Sequence, residues 1–328
     1  MKKLISLIVS LGVLALLYWK IDFRSLGPVF TNCDVMWMTI SLFMVVPLTL
    51  FTAWRFQKLA PDEAKLTFGE CNRLILSASV LNLILPSKMG DIAKALFLPI
   101  RKSLALSLVV FEKACDMLSL LVWCVFGLVW VKLQGTSIFP DLTLFGFTLP
   151  GDWIYSTCTL GIGVALLFGC LMLMSSRFSS AFFKLGIQFA PGKIKTKLEK
   201  LSASWSEMLG YFTGSKSRFI LVSGTSVFIW LLHLLQIWFF ILALKAWCPF
   251  VANLALSPLG ILAGLVPLTF AGVGTRDAAL VGLYAPYFAA PTAAALGLLC
   301  TVRYVLPAIG GIPFFQRYLA KVRQEQVK

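Results

Sequence analysis

The pattern of apolar and polar positions divides the chain into long apolar segments separated by short polar ones. Six segments approach the roughly 20 residues that a helix needs to cross a bilayer. They lie at about 4–19, 36–53, 104–131, 154–174, 219–243 and 291–315. No segment alternates like the strands of about ten residues that build an outer-membrane β-barrel. The pattern therefore predicts an all-α polytopic membrane protein, with about six full spans in a single transmembrane domain over residues 1–328.

Two further apolar segments, about 68–100 and 257–288, are interrupted near the middle by Pro and Gly. Each has roughly 32 residues, which as a helix extend about 48 Å at 1.5 Å per residue. Two full crossings of a ~30 Å hydrocarbon core need about 60 Å. Each segment is therefore either one interrupted crossing or a re-entrant hairpin of two half-helices.

The distribution of basic residues favours the re-entrant hairpins. Loop 175–218 has two acidic residues, Glu199 and Glu207, against eight basic ones. The basic residues are Arg177, Lys184, Lys193, Lys195, Lys197, Lys200, Lys216 and Arg218. If segment 68–100 is re-entrant, this loop faces the cytoplasm, as the positive-inside rule requires. We therefore predict both termini in the cytoplasm, one hairpin entering from each face, and a location in the cell (inner) membrane.

The same loop contains a regular apolar pattern. Ile194, Leu198, Leu201, Trp205, Met208 and Phe212 recur at spacings of three and four. This spacing predicts a cytoplasmic amphipathic helix. Its apolar face either lies in the lipid headgroup plane or packs on the protein's own inner surface.

Composition supports a membrane protein and excludes several other classes. Hydrophobic residues are 59% of the chain and charged residues 13%, whereas soluble domains carry about 25% charged residues. The net charge of +15 lies between the apolar segments, which favours anionic lipid headgroups over nucleic acid as a partner. With one histidine and no metal-ligand spacing among the eight cysteines, we expect no metal and no cofactor.

The two interruptions share one order of residues: Pro, a short loop, Gly, and then an acid and a base that open a new helix. The first contains Pro86, Lys88, Gly90, Asp91 and Lys94; the second contains Pro267, Gly272, Gly274, Arg276 and Asp277. Broken helices in corresponding positions are typical of inverted repeats with a binding site at the bilayer midplane. For a single motif there is an alternative: Pro and Gly only break the helix, and the acidic and basic residues of the motif pair with each other.

The chemistry of the two motifs suits an anion. A half-helix N-terminus presents free N–H groups and a positive dipole end, and glycines let the backbone approach a phosphate closely. The predicted substrate-binding residues are Lys88, Gly90, Lys94, Gly272, Gly274, Arg276 and Arg303. Arg303 lies centrally in the last span, where it either neutralises acids or binds a phosphate bidentately.

Span 104–131 also carries charge near its middle, at Glu112, Lys113 and Asp116. A charge at that depth costs about 2.5–3.5 kcal/mol on the insertion scale, so these side chains must be paired or face water. A Lys113–Asp116 pair leaves Glu112 over, either as the partner of a basic motif residue or as a protonatable coupling site. Asp91 and Asp277 complete the residues assigned to charge balance or coupling.

These motifs resemble the flippase-like transmembrane region of the lysylphosphatidylglycerol synthase family, from Leu4 to about Tyr318. The resemblance is carried by Pro86-x-x-x-Gly90-Asp91-x-x-Lys94, by Glu112-Lys113-x-x-Asp116, and by Pro267 with Gly272-Val273-Gly274-x-Arg276-Asp277. The family usually has Arg in place of Lys94 and Lys113, and Glu in place of Asp277. Because Lys cannot reproduce a bidentate Arg contact, the lipid preference can differ. The soluble aminoacyl-transferring domain of some members is not in this sequence, so we expect no aminoacylated-lipid synthesis.

The resemblance implies a domain that binds or translocates lipids. We expect a flippase or transporter that moves an anionic or headgroup-modified lipid, whose phosphate sits between the hairpin tips. The alternatives are a membrane enzyme acting on a polyprenyl-linked or phospholipid substrate, with Glu112 or Asp91 as its acid, and an accessory subunit of a lipid-modifying enzyme.

The predicted topology can be tested by labelling with an impermeant maleimide in a cysteine-free background. A cysteine at Ser202 is expected to stay unlabelled in intact cells, because loop 175–218 faces the cytoplasm, whereas a cysteine at Thr143 should react. Labelling of position 202 from outside would overturn the topology.

Overall fold

The computed structural model describes residues 26–84, 90–135, 139, 141–144, 147–265 and 274–327. The predicted first span, 4–19, and both hairpin turns lie outside these residues. The first helices are α1 (Leu26–Thr31), α2 (Val35–Phe43), α3 (Val45–Leu59), α4 (Phe68–Ile84), α5 (Gly90–Phe97), α6 (Lys102–Leu133) and α7 (Gly151–Met174). Those that follow are α8 (Ser176–Phe189), α9 (Gly192–Thr213), α10 (Lys216–Ala243), α11 (Phe250–Leu265), α12 (Thr275–Leu283) and α13 (Ala290–Val327). Strands β1 (Leu142–Leu144) and β2 (Phe147–Leu149) pair antiparallel between α6 and α7.

Five helical segments are long and apolar enough to cross a membrane. They are Val35–Leu59, Lys102–Leu133, Gly151–Met174, Lys216–Ala243 and Ala290–Gln316. They correspond to the five predicted spans that begin after residue 26, and they confirm the all-α polytopic membrane fold. The first of them continues beyond its predicted end at residue 53, so that Arg55 is buried within α3.

Local polar residues fix where several helices begin. The Asp34 carboxylate accepts a hydrogen bond from the Trp37 N–H at 3.1 Å and caps α2. Thr67 and Glu70 form a reciprocal capping pair at the start of α4, with backbone-to-side-chain distances of 2.8 and 3.3 Å. The Ser175 hydroxyl, which accepts from the Phe178 N–H at 3.2 Å, separates α7 from α8. Each cap satisfies an N–H group that lacks a partner inside its helix.

Two apolar clusters lie at opposite ends of the spanning helices. The first, here called the loop-side cluster, contains the end of α3 (Leu59), the start of α6 (Ala105), the end of α7 (Leu173) and the start of α10 (Val222). The second, the far cluster, contains Val131, Tyr155 and Leu244, which belong to the other ends of α6 and α7 and to the end of α10. These clusters define the two ends of the helix bundle.

The two interrupted segments form two helix pairs, α4–α5 and α11–α12, whose members pack against each other. The pair α4–α5 contributes Cys71 from its beginning and Ala95 from its end to the loop-side cluster. The pair α11–α12 contributes Leu254 and Leu280 to the far cluster. The two pairs therefore contribute to different clusters, which lie at opposite ends of the bundle.

The two pairs exchange packing partners. Helix α4 packs on α13, the span that follows the second pair, and α11 packs on α6, the span that follows the first. A glycine lies at each crossing: a Cβ added to Gly311 would come closer than 3.0 Å to the backbone of Leu76, and one added to Gly127 would do the same at Ala255. The two pairs thus make corresponding contacts, and each pair packs on the spanning helix that follows the other pair.

The predicted amphipathic helix corresponds to α9, and a further helix, α8, precedes it. The C-terminal part of α9 packs on the protein: the Trp205 indole donates to the Met172 carbonyl at 3.1 Å, and Met208 and Phe212 are buried. Ile194 and Leu201 in its N-terminal part are exposed. Packing on the protein's own surface therefore accounts for about half of this helix.

Two adjacent glycines of α13 provide a test of the α4–α13 crossing. Gly311→Ala should destabilise the protein by about 1–3 kcal/mol, because overpacking against backbone cannot relax easily. Gly310→Ala is the control, since its Cβ would find only ordinary contact at 3.8 Å and alanine favours the helix. Melting temperatures in detergent measure both. Equal melting temperatures for the two variants would contradict the crossing.

Candidate functional site

A cavity of about 540 Å³ lies inside the helix bundle. Its lining comes from the spanning helices α3, α6, α10 and α13 and from both helix pairs. Asp91 and Lys94 reach it from α5, and Arg276 reaches it from α12. The structure therefore brings charged residues of the two sequence motifs to one cavity, together with Glu112 and Arg303.

Six charged side chains along this cavity form one continuous chain of ion pairs. It starts at Lys94, whose Nζ lies 2.7 Å from Glu112 Oε2. Glu112 Oε1 lies 2.8 Å from Arg55 Nη2, and the same guanidinium pairs with Asp116 through Nη1. Lys113 Nζ then connects Asp116 to the last member, Asp91: it lies 3.0 Å from Asp116 Oδ2 and 2.6 Å from Asp91 Oδ2. Positive and negative groups alternate, so the chain is neutral.

The two ends of the ion chain differ in exposure. The side chains of Lys94, Glu112 and Arg55 are at most 2% exposed, whereas that of Lys113 is 38% exposed. Taking charges out of water costs several kcal/mol per ion, which only close opposite charges and added hydrogen bonds offset. Here the Ser226 hydroxyl accepts from Arg55 at 2.7 Å, and the Lys94 ammonium lies 5.0 Å from the Phe56 ring centroid. The ion chain thus joins α5, α3 and α6, and its Lys94 end is buried.

Both Glu112 and the predicted Lys113–Asp116 pair belong to this ion chain. Glu112 is the partner of Lys94, a basic residue of the first motif, and also of Arg55. The predicted Lys113–Asp116 pair is present, but Lys113 is shared with Asp91.

Arg55 is a site residue that sequence reasoning missed, because the predicted span 36–53 ends before it. The spacing contained a signal: Leu48, Thr52 and Arg55 share one face of α3, and all three line the cavity.

The second motif is neutralised within itself. The Asp277 Oδ1 atom accepts from Arg276 Nη2 at 2.6 Å and from its Nε at 2.9 Å. Arg276 also donates to the Gly297 carbonyl at 3.0 Å and to Thr301 Oγ1 at 2.7 Å. Gly297 is required for this contact, since a Cβ there would collide with the Asp277 carboxylate. Arg276 and Asp277 are therefore a buried ion pair fixed to α13.

One N–H group at the start of each half-helix has a side-chain acceptor inside the protein. The Asp91 N–H donates to Asn82 Oδ1 at 3.1 Å, and the Gly274 N–H donates to Asp277 Oδ2 at 3.1 Å. Gly274 has φ of +98°, a conformation that favours glycine. Gly90 lets α5 approach the backbone of α4 at Asn82. These two glycines are explained by backbone geometry and helix packing, while Lys88 and Gly272 lie outside the described residues.

Arg303 differs from the other buried cations. Its side chain is buried, its Nη2 donates to the Tyr304 hydroxyl at 2.7 Å, and its Nη1 donates to the His233 carbonyl at 3.4 Å. Among the described residues, its Nε has no hydrogen-bond partner and no carboxylate pairs with it. Segments 85–89 and 266–273, which lie outside the described residues, contain no acidic residue. The cavity therefore carries one uncompensated positive charge among the residues that the structure describes.

Comparison with protein families matches residues 3–311 to the lysylphosphatidylglycerol synthase TM region. A search of curated proteins finds no match for the chain. In the part of the chain that is described, no three His, Cys, Asp or Glu side chains come together as metal ligands.

Neutralising Glu112 tests the ion chain. Glu112→Gln should destabilise the protein by about 3–5 kcal/mol, because it leaves the buried Lys94 without an anion and Arg55 with Asp116 alone. Adding Lys94→Met to Glu112→Gln should recover part of this loss. Glu207→Gln is the control, since Glu207 pairs with Arg101 at the surface and such pairs contribute at most about 1 kcal/mol. Thermal melting of the variants checks this, and equal losses for Glu112→Gln and Glu207→Gln would contradict the ion chain.

Proposed function

Because the chain belongs to the family of the lysylphosphatidylglycerol synthase transmembrane region, we propose that it binds a membrane lipid by its phosphate headgroup and moves that lipid between leaflets. Family membership supports a lipid-related role in the membrane. The choice of a phosphate headgroup rests on one observation, the buried and uncompensated charge of Arg303 in a cavity inside the spanning helices.

The charge of Arg303 favours an anionic ligand. An uncompensated buried charge is costly, and the neutral oxygens around this guanidinium do not cancel it. A phosphate oxygen can, through a short charge-assisted hydrogen bond. Nε is a donor of this side chain that has no partner among the described residues. We place the headgroup phosphate against Arg303.

The other predicted substrate-binding residues take a supporting role in this proposal. Lys94 and Arg276 already have carboxylate partners at 2.7 and 2.6 Å. They hold α5 and α12 in position at the cavity instead of meeting the phosphate directly. Lys113, with its side chain 38% exposed, remains a second contact for an anionic group that enters from the more open end of the ion chain.

The size of the cavity suits a headgroup. Sites for small molecules usually measure roughly 300–1,000 Å³, and this one is about 540 Å³. The two acyl chains of a phospholipid would lie outside, between the apolar helices, while the headgroup crosses through the polar interior. The apolar part of the lining includes Leu48, Ile75 and Leu265. It fits a glycerol backbone and the first part of an acyl chain.

We also propose that α4–α5 and α11–α12 are re-entrant hairpins of an inverted repeat, entering from the cytoplasmic and outer faces respectively. This topology is supported by two observations. The two pairs contribute to apolar clusters at opposite ends of the bundle, and each pair packs on the spanning helix that follows the other pair. In this topology both termini and helices α8 and α9 face the cytoplasm, at the cell membrane. A site between two such hairpins is reachable in turn from either leaflet, as alternating access requires.

The two buried arginines of the cavity give a direct test. Arg303→Met is expected to keep or raise the melting temperature in detergent, because it removes an uncompensated charge. Added anionic phospholipid should stabilise the wild type in proportion to binding but should shift this variant less, by about 1–3 kcal/mol of lost binding. Arg276→Met, the matched control, should melt lower because it strands Asp277, while retaining the lipid-induced shift.

Transport is measured in liposomes with an anionic phospholipid that carries a fluorophore on one acyl chain, using a reductant that bleaches only the outer leaflet. Wild-type protein should make the inner-leaflet fluorophore accessible, and Arg303→Met should slow that step. Covalent change of the lipid would instead indicate the enzyme alternative. An unchanged lipid-induced shift in Arg303→Met would exclude Arg303 as the phosphate contact.

A further inference from the structure

Helices α8 and α9 form a unit that is tied to the membrane at both ends. The spanning helix α7 ends at Met174 and α8 starts at Ser176, while α9 ends at Thr213 and the spanning helix α10 starts at Lys216. The two helices pack together, with Leu198 of α9 close to Gly186 of α8. Because only one or two residues connect it at each end, the pair cannot move far from the plane where α7 ends and α10 begins.

Half of this helix pair packs on the protein and half does not. Trp205, Met208 and Phe212 are in the loop-side cluster or in contact with it. By contrast, large apolar side chains before residue 202 are exposed: Phe182 by 45%, Leu185 by 58%, Phe189 by 77%, Ile194 by 53% and Leu201 by 41%. Nothing that the structure describes covers these side chains.

Basic residues accompany the exposed apolar ones. In this part of α8 and α9, the exposed charged side chains are Arg177, Lys184, Lys195, Lys197 and Lys200 together with one acid, Glu199. On α9 the lysines flank the stripe of Ile194 and Leu201, as the spacing of 3.6 residues per turn places them. Long lysine side chains in that position can reach phosphate groups while apolar side chains enter the acyl boundary.

We propose that residues 176–201 of α8 and α9 dock on the anionic phospholipid surface of the leaflet in which α7 ends and α10 begins. The argument rests on charge complementarity and on the attachment of the unit at that plane. A cluster of four to eight Lys and Arg beside a spanning helix is the usual composition of such a contact with anionic lipid. This contact lies outside the cavity and does not depend on transport.

Docking would also reach the base of the first helix pair. Arg101, between α5 and α6, pairs with Glu207 of α9 at 2.9 Å, and the Phe212 ring lies 4.1 Å from that of Phe111 on α6. Phe111 directly precedes Glu112, which is a member of the ion chain. The position of α9 on the leaflet is thereby connected to the helix that carries three of the six charges.

Hydrogen–deuterium exchange on the full chain in nanodiscs tests the docking. With phosphatidylglycerol added to phosphatidylcholine, amides of 176–201 should exchange more slowly, on the order of tenfold, and high salt should remove the effect. Amides of 205–212, which pack on the protein, are the internal control and should not change. They also report whether each variant remains folded.

Two matched variants separate charge from structure. Lys195, Lys197 and Lys200 changed together to Gln should lose the slowing by phosphatidylglycerol, and the same three changed to Arg should keep it. Equal exchange of 176–201 in both lipid mixtures would overturn the proposal. So would slowing that persists in the Gln variant, or slowing that appears only when another protein is added.

Discussion

The cost of holding charge inside a membrane governs this molecule. Six charged side chains from three helices meet beside the cavity, and any one of them alone would be expelled or neutralised. They are tolerated because they alternate in sign from Lys94 to Asp91, and each carboxylate has at least one cation within hydrogen-bonding distance. The positions of α3, α5 and α6 follow from this requirement as much as from apolar packing. A shift of α5 would separate Lys94 from Glu112 and leave the buried Lys94 without its carboxylate partner.

The second half meets the same requirement with different means. Asp277 pairs with its own neighbour, Arg276, and caps its own helix through the Gly274 N–H. The first half uses Asn82 as the cap and sends its charges to other helices. Corresponding positions thus have similar residues but different partners. Among the described residues, the cavity cation without a carboxylate partner is Arg303, which lies in the second half. The described lining of the cavity is therefore electrically asymmetric.

Much of the fold could be predicted from the sequence, because span length and apolar composition are local properties. The pairing of the two broken segments was also visible, since Pro, Gly and charges recur in one order. The pairing of the charged side chains was not visible. Arg55 lies just past the predicted end of span 36–53, and only the three-dimensional packing shows that α3 continues past it and that Arg55 joins the ion chain. Gly90 was predicted to contact a phosphate, and the close helix packing that it also permits depends on α4, which the motif does not show. For Arg303 the sequence left two roles open, and the phosphate contact is the one that we propose.

The order of the chain gives the ion network a consequence for biosynthesis. All six of its members lie between Arg55 and Asp116, so the network can close while the C-terminal half is still being translated. The first helix pair can therefore enter the bilayer as an electrically neutral unit, without waiting for a distant counter-ion. Its apolar partner α13 follows the other described helices in the chain, so the α13-facing side of α4 stays uncovered until α13 is synthesised. A truncated nascent chain should thus be inserted yet open on one side, exposed to chaperones or proteases of the membrane until α13 arrives.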